Sequence, residues 1–367
     1  MRLGIMLRGV DKNGGSGIYA QNLVPELLRQ GTDLEWVLIY RHSAQLGSFD
    51  LPDRTQEVVV PSGHPVTWDQ LVVPRLARRR QLDLLFHTKF TVPLLGGPPA
   101  VMALHGASWY VHPWFYPWWD LAYIRTMMPL YCRRAAHMIS NSECTTEDYV
   151  HLIGADRARI TTVPLAAAPC FRPVTDRAEL ARVRERYGLP EEYILSVSVL
   201  DVRKNVSRLL RAFNLVPREC RCSLVLVGAD RDRLAARFPD VAGLLGEDVV
   251  CTGWVPQQDL PAIYTMAKIF FFPSIYEEFG IPNCEALACG TPIVTADRAA
   301  PPEVVGDAGL LVDPFDVAAM RDALVRLLED DALRDDLSRR GLARSRLYSW
   351  PETARRTLDV LRTVGAS

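Results

Sequence analysis

Two glutamates, Glu277 and Glu285, lie in the segment Pro273-Ser274-Ile275-Tyr276-Glu277-Glu278-Phe279-Gly280-Ile281-Pro282-Asn283-Cys284-Glu285-Ala286. The apolar run just before it reads as a buried strand. Pro282 suits the first position of a helix and Gly290 the position after its last turn, so the helix between them is short and well bounded. The unpaired N–H groups at its start, with Gly280 letting a ligand approach the backbone, make an anion site suited to a diphosphate. A carboxylate beside a phosphate is repelled. Each glutamate is therefore better placed against neutral hydroxyls, ribose for Glu285 and a transferred sugar for Glu277. The competing interpretation is two solvated charges that favour a helix start, worth roughly a few tenths of a kcal/mol each.

A second set of residues supplies the opposite charge. Arg203 and Lys204, followed by Asn205, stand between a strand end and a helix, where two cations can neutralise the charge that grows on a departing diphosphate. A solvated basic turn is the plainer interpretation, but lysine is scarce in this chain, being confined to Lys12, Lys89, Lys204 and Lys268. His105 follows the strand Ala100–Leu104 at the end where function collects in parallel sheets. Gly14-Gly15-Ser16-Gly17 opens a helix and can offer backbone N–H groups to phosphate, although it is not the dinucleotide pattern G-x-G-x-x-G. Asp230-Arg231-Asp232 reads as a polar loop. No His, Cys, Asp or Glu cluster has ligand spacing, which points to chemistry without a metal, and no G-x-S-x-G hydrolase motif is present.

The elements that must position these groups alternate along the chain. Strand patterns at Leu3–Leu7, Trp36–Tyr40, Glu57–Val60, Leu82–His87, Ala100–Leu104, His137–Asn141 and Ile160–Val163 are separated by helical ones, and a second alternation runs from Asp176 to Leu347. Prolines 164, 169 and 173 mark the break. This predicts an α/β protein with two Rossmann-like domains, residues 1–170 and 171–350, on parallel sheets covered on both faces. The chain length, 367 residues, suits two such domains. Apolar residues make up 49% and charged residues 23%, which excludes a disordered or fibrous chain. A net charge of −1 gives no overall attraction for nucleic acid. No stretch approaches a membrane span or a secretory leader, and the eight cysteines are scattered in mostly apolar, buried-looking surroundings, so a reducing cytoplasm is expected.

The Glu277 to Glu285 block strongly resembles the signature of retaining glycosyltransferases of family 4, P-S-x-x-E-x-F-G-x-P-x-x-E-A, and Cys289-Gly290-Thr291-Pro292-Ile293-Val294 continues the likeness. The resemblance implies a GT-B fold with the two domains facing a cleft and the terminal helix, within residues 351–367, crossing back to the first domain. It implies that Glu277 contacts the donor sugar and that the backbone of Phe279, Gly280 and Ile281 meets the phosphates. Glu285 would bind ribose, and Arg203 and Lys204 the leaving group. Gly15 and Ser16 would line the donor site, and His105 would bind the donor sugar. The implied reaction moves a hexose or deoxyhexose from a nucleoside-diphosphate sugar, GDP-mannose-like or a UDP- or dTDP-sugar, to a hydroxyl of a saccharide, lipid-linked or natural-product acceptor. The sugar nucleotide is a co-substrate and no cofactor is expected. The family often has a further arginine where Ser198 or Val199 stands, and usually a glycine where Glu278 stands; the latter change narrows the sugar pocket. Rival functions are an epimerase of the same fold and a non-catalytic partner subunit. Intact Glu277, Lys204 and His105 argue against the second, and the glutamate pair against the first.

An aromatic stretch from Trp109 and Tyr110 to Trp119 has three uses open to it. It can stack on a sugar or lipid acceptor, dip into a membrane surface, or pack on its own domain. Arg75, Arg78, Arg79 and Arg80 at a helix end are either a solvated terminus favoured by the helix dipole or a docking patch for anionic lipid at the inner membrane face.

Overall fold

Strand-length runs of branched and aromatic residues without polar alternation must be covered on both faces, and this requirement sets the architecture. The computed structural model describes every residue except Gly9, Asp11, Lys12, Asn13, Ser198, Val199 and Ser367. The first sheet contains β1 (Arg2–Met6), β2 (Glu35–Tyr40), β3 (Thr55–Val59), β4 (Leu84–His87), β5 (Ala100–Ala103), β6 (His137–Ser140) and β7 (Ile160–Thr162), in the order β3-β2-β1-β4-β5-β6-β7. The second contains β8 (Tyr193–Val197), β9 (Ser223–Val227), β10 (Val249–Gly253), β11 (Ile269–Phe272), β12 (Ile293–Ala296) and β13 (Gly309–Val312), in the order β10-β9-β8-β11-β12-β13. The strand pairings are parallel throughout. Each sheet changes its winding direction once, between β1 and β4 in the first and between β8 and β11 in the second. Loops that leave the carboxyl ends of strands at such switch points have no crossover helix closing over them.

The chain divides into two compact units, Met1–Leu165 with Ser349–Ser367, and Ala166–Tyr348. The last helix, Trp350–Gly365, is therefore part of the first unit. It lies against the helix Gly15–Gln30: Gln30 Nε2 donates to the Pro351 carbonyl at 2.9 Å, and Arg362 meets Asp33 at 2.6 Å. Thr353 Oγ1 donates to the Pro164 carbonyl at 2.7 Å, and Arg356 to that of Thr162 at 2.6 Å, so the helix also satisfies backbone acceptors at the end of β7. Its apolar side, with Ala354, Leu358 and Leu361, is fully buried.

Several elements escaped the sequence reading. Asp230 is not in a polar loop. Its side chain accepts from the Arg233 N–H at 2.8 Å and caps a helix, Arg231–Arg237, which is what an aspartate at a helix start does best. The edge strand β13 and the helices Leu260–Met266 and Pro301–Val305 are too short to show a period. Among the eight cysteines, all reduced, Cys132, Cys284 and Cys289 are buried and Cys170 is exposed, so fewer are buried than their surroundings suggested.

Leu361→Ala, which empties a fully buried site under the last helix, is expected to lower stability by about 2–5 kcal/mol. Thermal melts would show this as a lower Tm; an unchanged Tm would mean that the helix does not stabilise the first unit.

Candidate functional site

The turn after β8 and the turn after β11 are neighbours because the two strands are hydrogen-bonded at the switch point. The Ile275 N–H donates to the Arg203 carbonyl at 2.7 Å, tying one turn to the other. Asn205, at φ +59°, is buried and sends its amide to the carbonyls of Pro273 and Pro314 at 3.1 and 2.6 Å. A left-handed backbone suits asparagine, and its short amide reaches carbonyls that no helix would satisfy. With the turns fixed in this way, Lys204 Nζ lies 2.6 Å from Glu277 Oε1 and 4.8 Å from the centre of the Phe272 ring. Both members of the pair are largely shielded from water, at 14% and 11% side-chain exposure.

Directly after Glu277 the chain enters the helix Ile281–Cys289. Gly280 precedes it at φ +85°, a conformation that a side chain would strain, and an added Cβ would stand 3.0 Å from the Asn283 amide. No acidic residue occupies the first turn, so the partial positive charge of the N–H groups is uncompensated. Two buried polar side chains flank this point: Ser274 Oγ and both polar atoms of Asn283 have no hydrogen-bond partner among the described residues. The carbon skeleton is ordinary packing, while the polar atoms are of the kind that normally find a partner.

Glu285 is not a solvated helix-starting charge. It is 9% exposed, and its Oε2 accepts from the Tyr264 hydroxyl at 2.8 Å. Burial pushes its carboxyl up to about 7, with the Tyr264 hydrogen bond and the Lys204 charge acting in the other direction. Tyr264, itself fully buried, is raised well above its ordinary value and stays a donor. Arg203 binds Asp201, with its terminal nitrogen at 2.7 Å from Oδ2, and its other terminal nitrogen lies 3.7 Å from Glu278 Oε1. Burial raises the Glu278 carboxyl, and Arg203 opposes the rise. Glu278 thus has an electrostatic partner in the Arg203 guanidinium. Among the described residues no group of three or more His, Cys, Asp or Glu side chains is placed to hold a metal ion. The Ser198 and Val199 positions, where the resemblance has an arginine, lie outside the described residues, as does Lys12.

In the first unit the helix Gly15–Gln30 starts at the switch point beside β1, with Gly14 as its cap residue and no acid in its first turn. A Cβ added at Gly14 or Gly15 would meet nothing within 4 Å, so packing does not require glycine at either position. His105, two residues beyond β5, is buried and edge-on to the Tyr19 ring at 5.2 Å. Its Nε2 lies 2.7 Å from the Thr88 carbonyl oxygen, which can only accept, so Nε2 carries the proton and Nδ1 the lone pair. Burial lowers its pKa to about 4, which keeps the ring neutral through the physiological range. Trp109 packs edge-on to Phe90 at 4.9 Å and beside Tyr116 at 5.6 Å, and Tyr110 is half-buried; these two face their own domain.

The sequence reading missed a charged network at the same carboxyl end of the first sheet's strands. Asp69, 1% exposed, pairs with Arg8 and accepts from Thr91 Oγ1 at 3.1 Å, and His87 Nε2 lies 3.6 Å from its other oxygen. His87 ends β4 much as His105 follows β5, a placement that would have flagged it; its aspartate partner lies on a different element and leaves no local signal. Tyr264, the partner of Glu285, was missed for the same reason.

The chain is similar to known proteins over most of its length. The family model for glycosyl transferases group 1 matches residues 179–344, and that for glycosyltransferase family 4 matches residues 13–167. The chain is 32% identical over 267 residues to the O-antigen chain mannosyltransferase B of Escherichia coli, over 71% of this chain and 69% of that one. A serotype-specific mannosyltransferase of the same species is 29% identical over 62% of this chain, which spans 28% of that protein's length. Its fold matches that of a sucrose-phosphate synthase from Thermosynechococcus elongatus with a TM-score of 0.79 at 20% identity, covering 100% and 99% of the two chains. Anabaena HepE in complex with UDP and glucose matches with a TM-score of 0.78 at 16% identity, covering 99% and 100%.

The raised Glu285 carboxyl has a consequence for stability. The folded chain holds this proton up to about pH 7, whereas an unfolded glutamate releases it near 4.5. The contribution therefore favours folding at low pH and is lost as the pH rises through 7. Glu285→Gln, which imitates the protonated form, is expected to stabilise the free protein at about pH 8 by on the order of 1–3 kcal/mol and by little at about pH 5. Melting curves at both pH values test this, and an equal shift at the two would contradict it.

Proposed function

We infer, for a chain that belongs to glycosyltransferase family 4, that it transfers a mannose-like hexose or a deoxyhexose from a nucleoside-diphosphate donor to a hydroxyl of a saccharide, lipid-linked or natural-product acceptor. The mannosyltransferase relatives favour mannose and a saccharide chain, and the HepE complex with UDP and glucose makes a nucleotide sugar the natural donor class. The observation that carries the reading is the Lys204–Glu277 pair beside the uncapped start of the helix Ile281–Cys289.

In this reading the diphosphate rests on the backbone of Phe279, Gly280 and Ile281 at the start of the helix, and Lys204, with Arg203 next to it in the chain, compensates the charge that grows as the glycosidic bond breaks. Glu277, an anion that phosphate repels, accepts from hydroxyls of the sugar, and Glu285 accepts from ribose. Within the first unit, His105, neutral and with Nδ1 unprotonated, is suited to accept from a substrate hydroxyl, and Gly15 and Ser16 offer backbone donors to an anion. The acceptor hydroxyl attacks the anomeric carbon as the diphosphate departs, and its proton passes to the leaving phosphate oxygen. Attack and departure on the same side leave the configuration at that carbon unchanged. Charge compensation by these protein groups needs no added divalent ion.

Glu277→Gln keeps the shape and a hydrogen bond to Lys204 while removing the negative charge. It is expected to cut kcat/KM roughly a thousandfold, about 4 kcal/mol, with a normal circular-dichroism spectrum; turnover at the wild-type rate would sink the assignment. Glu277→Ala is a less clean test, because it strands the Lys204 ammonium in a poorly hydrated place and costs stability as well. Calorimetric titration with GDP-mannose, UDP-glucose and a dTDP-sugar is expected to show saturable binding of one of them without added metal. Failure to bind any would point to another function.

A further inference from the structure

The helices Val73–Arg79 and Trp118–Arg134 cover the same face of the first sheet, since Val73, Ala77, Ile124 and Met128 share one hydrophobic cluster with Met6, Val37, Leu85 and Met102. A helix that buries one side this way normally presents charged and polar residues on the other. The second helix does so only in part. Its outward side carries Trp118 at 75% exposure, Trp119 at 59%, Tyr123 and Leu130, and Trp114, 69% exposed, comes just before it. Trp118 and Trp119 touch only edge to face, at 5.9 Å. Indole and leucine surface held in water at several adjoining helical positions marks an interaction surface.

The charges on the two helices say what kind. Arg125 and Arg133 are exposed on the second, and Arg75, Arg78 and Arg79 on the first. None of these five makes an ion pair among the described residues, and the one exposed acid on either helix is Asp120. The chain as a whole carries a net charge of −1, so this concentration of positive charge is local to the face. Tryptophan and tyrosine prefer the boundary between lipid headgroups and acyl chains, and arginine the phosphate layer above it. A second copy docked through the same face would bring like charges together. No helix among the described residues is long and apolar enough to cross a membrane, so any such attachment lies along the surface.

We propose that this face, with Trp118, Trp119, Tyr123 and Leu130 entering the interface and Arg125 and Arg133 meeting lipid phosphates, docks the first unit on an anionic phospholipid bilayer. The inference does not depend on the sugar-transfer reading, because its residues lie outside the donor-binding groups assigned above.

Flotation of the full chain with vesicles tests it. The wild type is expected to float with phosphatidylglycerol-containing vesicles and not with pure phosphatidylcholine, to be released by high salt, and to shift its tryptophan emission to the blue on binding. Trp118→Ser with Trp119→Ser, and separately Arg125→Glu with Arg133→Glu, are each expected to lower the partition coefficient at least about tenfold, with unchanged Tm and nucleotide-sugar binding, since all four side chains are exposed. Absence of wild-type flotation, equal flotation with both lipids, or wild-type partitioning by both variants would overturn the proposal. So would a concentration-dependent dimer that the tryptophan variant abolishes while vesicles bind neither protein.

Discussion

An ammonium and a carboxylate held 2.6 Å apart, Lys204 against Glu277, set the terms for the rest of the second unit. The two residues lie on different strand-end turns, so the pair exists only if β8 and β11 are neighbours, and they are neighbours because the sheet changes direction between them. A partly buried ion pair gives little net stability by itself, since desolvation offsets much of the attraction. What fixes it is the neutral scaffolding: the Ile275 N–H on the Arg203 carbonyl, and the Asn205 amide on two proline carbonyls. These bonds hold the turns whether or not the charges are present. The charges are thereby held in a fixed geometry without a ligand, as the electrostatic role proposed for them requires.

The surroundings are biased towards an anion without being uniformly positive. The helix Ile281–Cys289 opens without an acid in its first turn, while the acids nearby are each held by something else: Glu277 by Lys204, Asp201 by Arg203, Glu285 by Tyr264. Glu285 is the costliest of them. A carboxyl pushed up to about 7 by burial is half-protonated near neutrality, a state no stability argument would choose. Strain of this sort collects where function needs a group in a fixed place. Glu278, which stands where the resemblance has a glycine, is given a counter-charge in Arg203. The same guanidinium is thus shared between two carboxylates.

The first unit repeats the logic with neutral and hydrogen-bonding groups. Its switch point gathers the glycine-led start of one helix, His105 beyond β5 and the Arg8–Asp69–His87 network at the end of β4. His105 is tuned by burial to stay uncharged, with its tautomer set by the Thr88 carbonyl.

Much of this was legible in the sequence. The alternation of short apolar runs with helical patterns gave the two parallel sheets, and the spacing of Glu277, Gly280, Pro282, Glu285 and Gly290 placed a strand, a turn and a bounded helix where they are found. Such features are local: they depend on backbone preferences and on periods of a few residues. The short elements β13, Leu260–Met266 and Arg231–Arg237 had no period to detect. The sequence named charged residues but not their partners. That Lys204 meets Glu277, that Glu285 leans on Tyr264 and that Asp69 lies among Arg8, Thr91 and His87 are consequences of strand order. So is the exposure of Trp118 and Trp119, as against the packing of Trp109 in the same aromatic stretch. Residue types and spacing determine which chemistry is available; only tertiary packing decides which groups lose their water and which charge stands beside them, because desolvation and Coulomb attraction depend on distance in space and not along the chain.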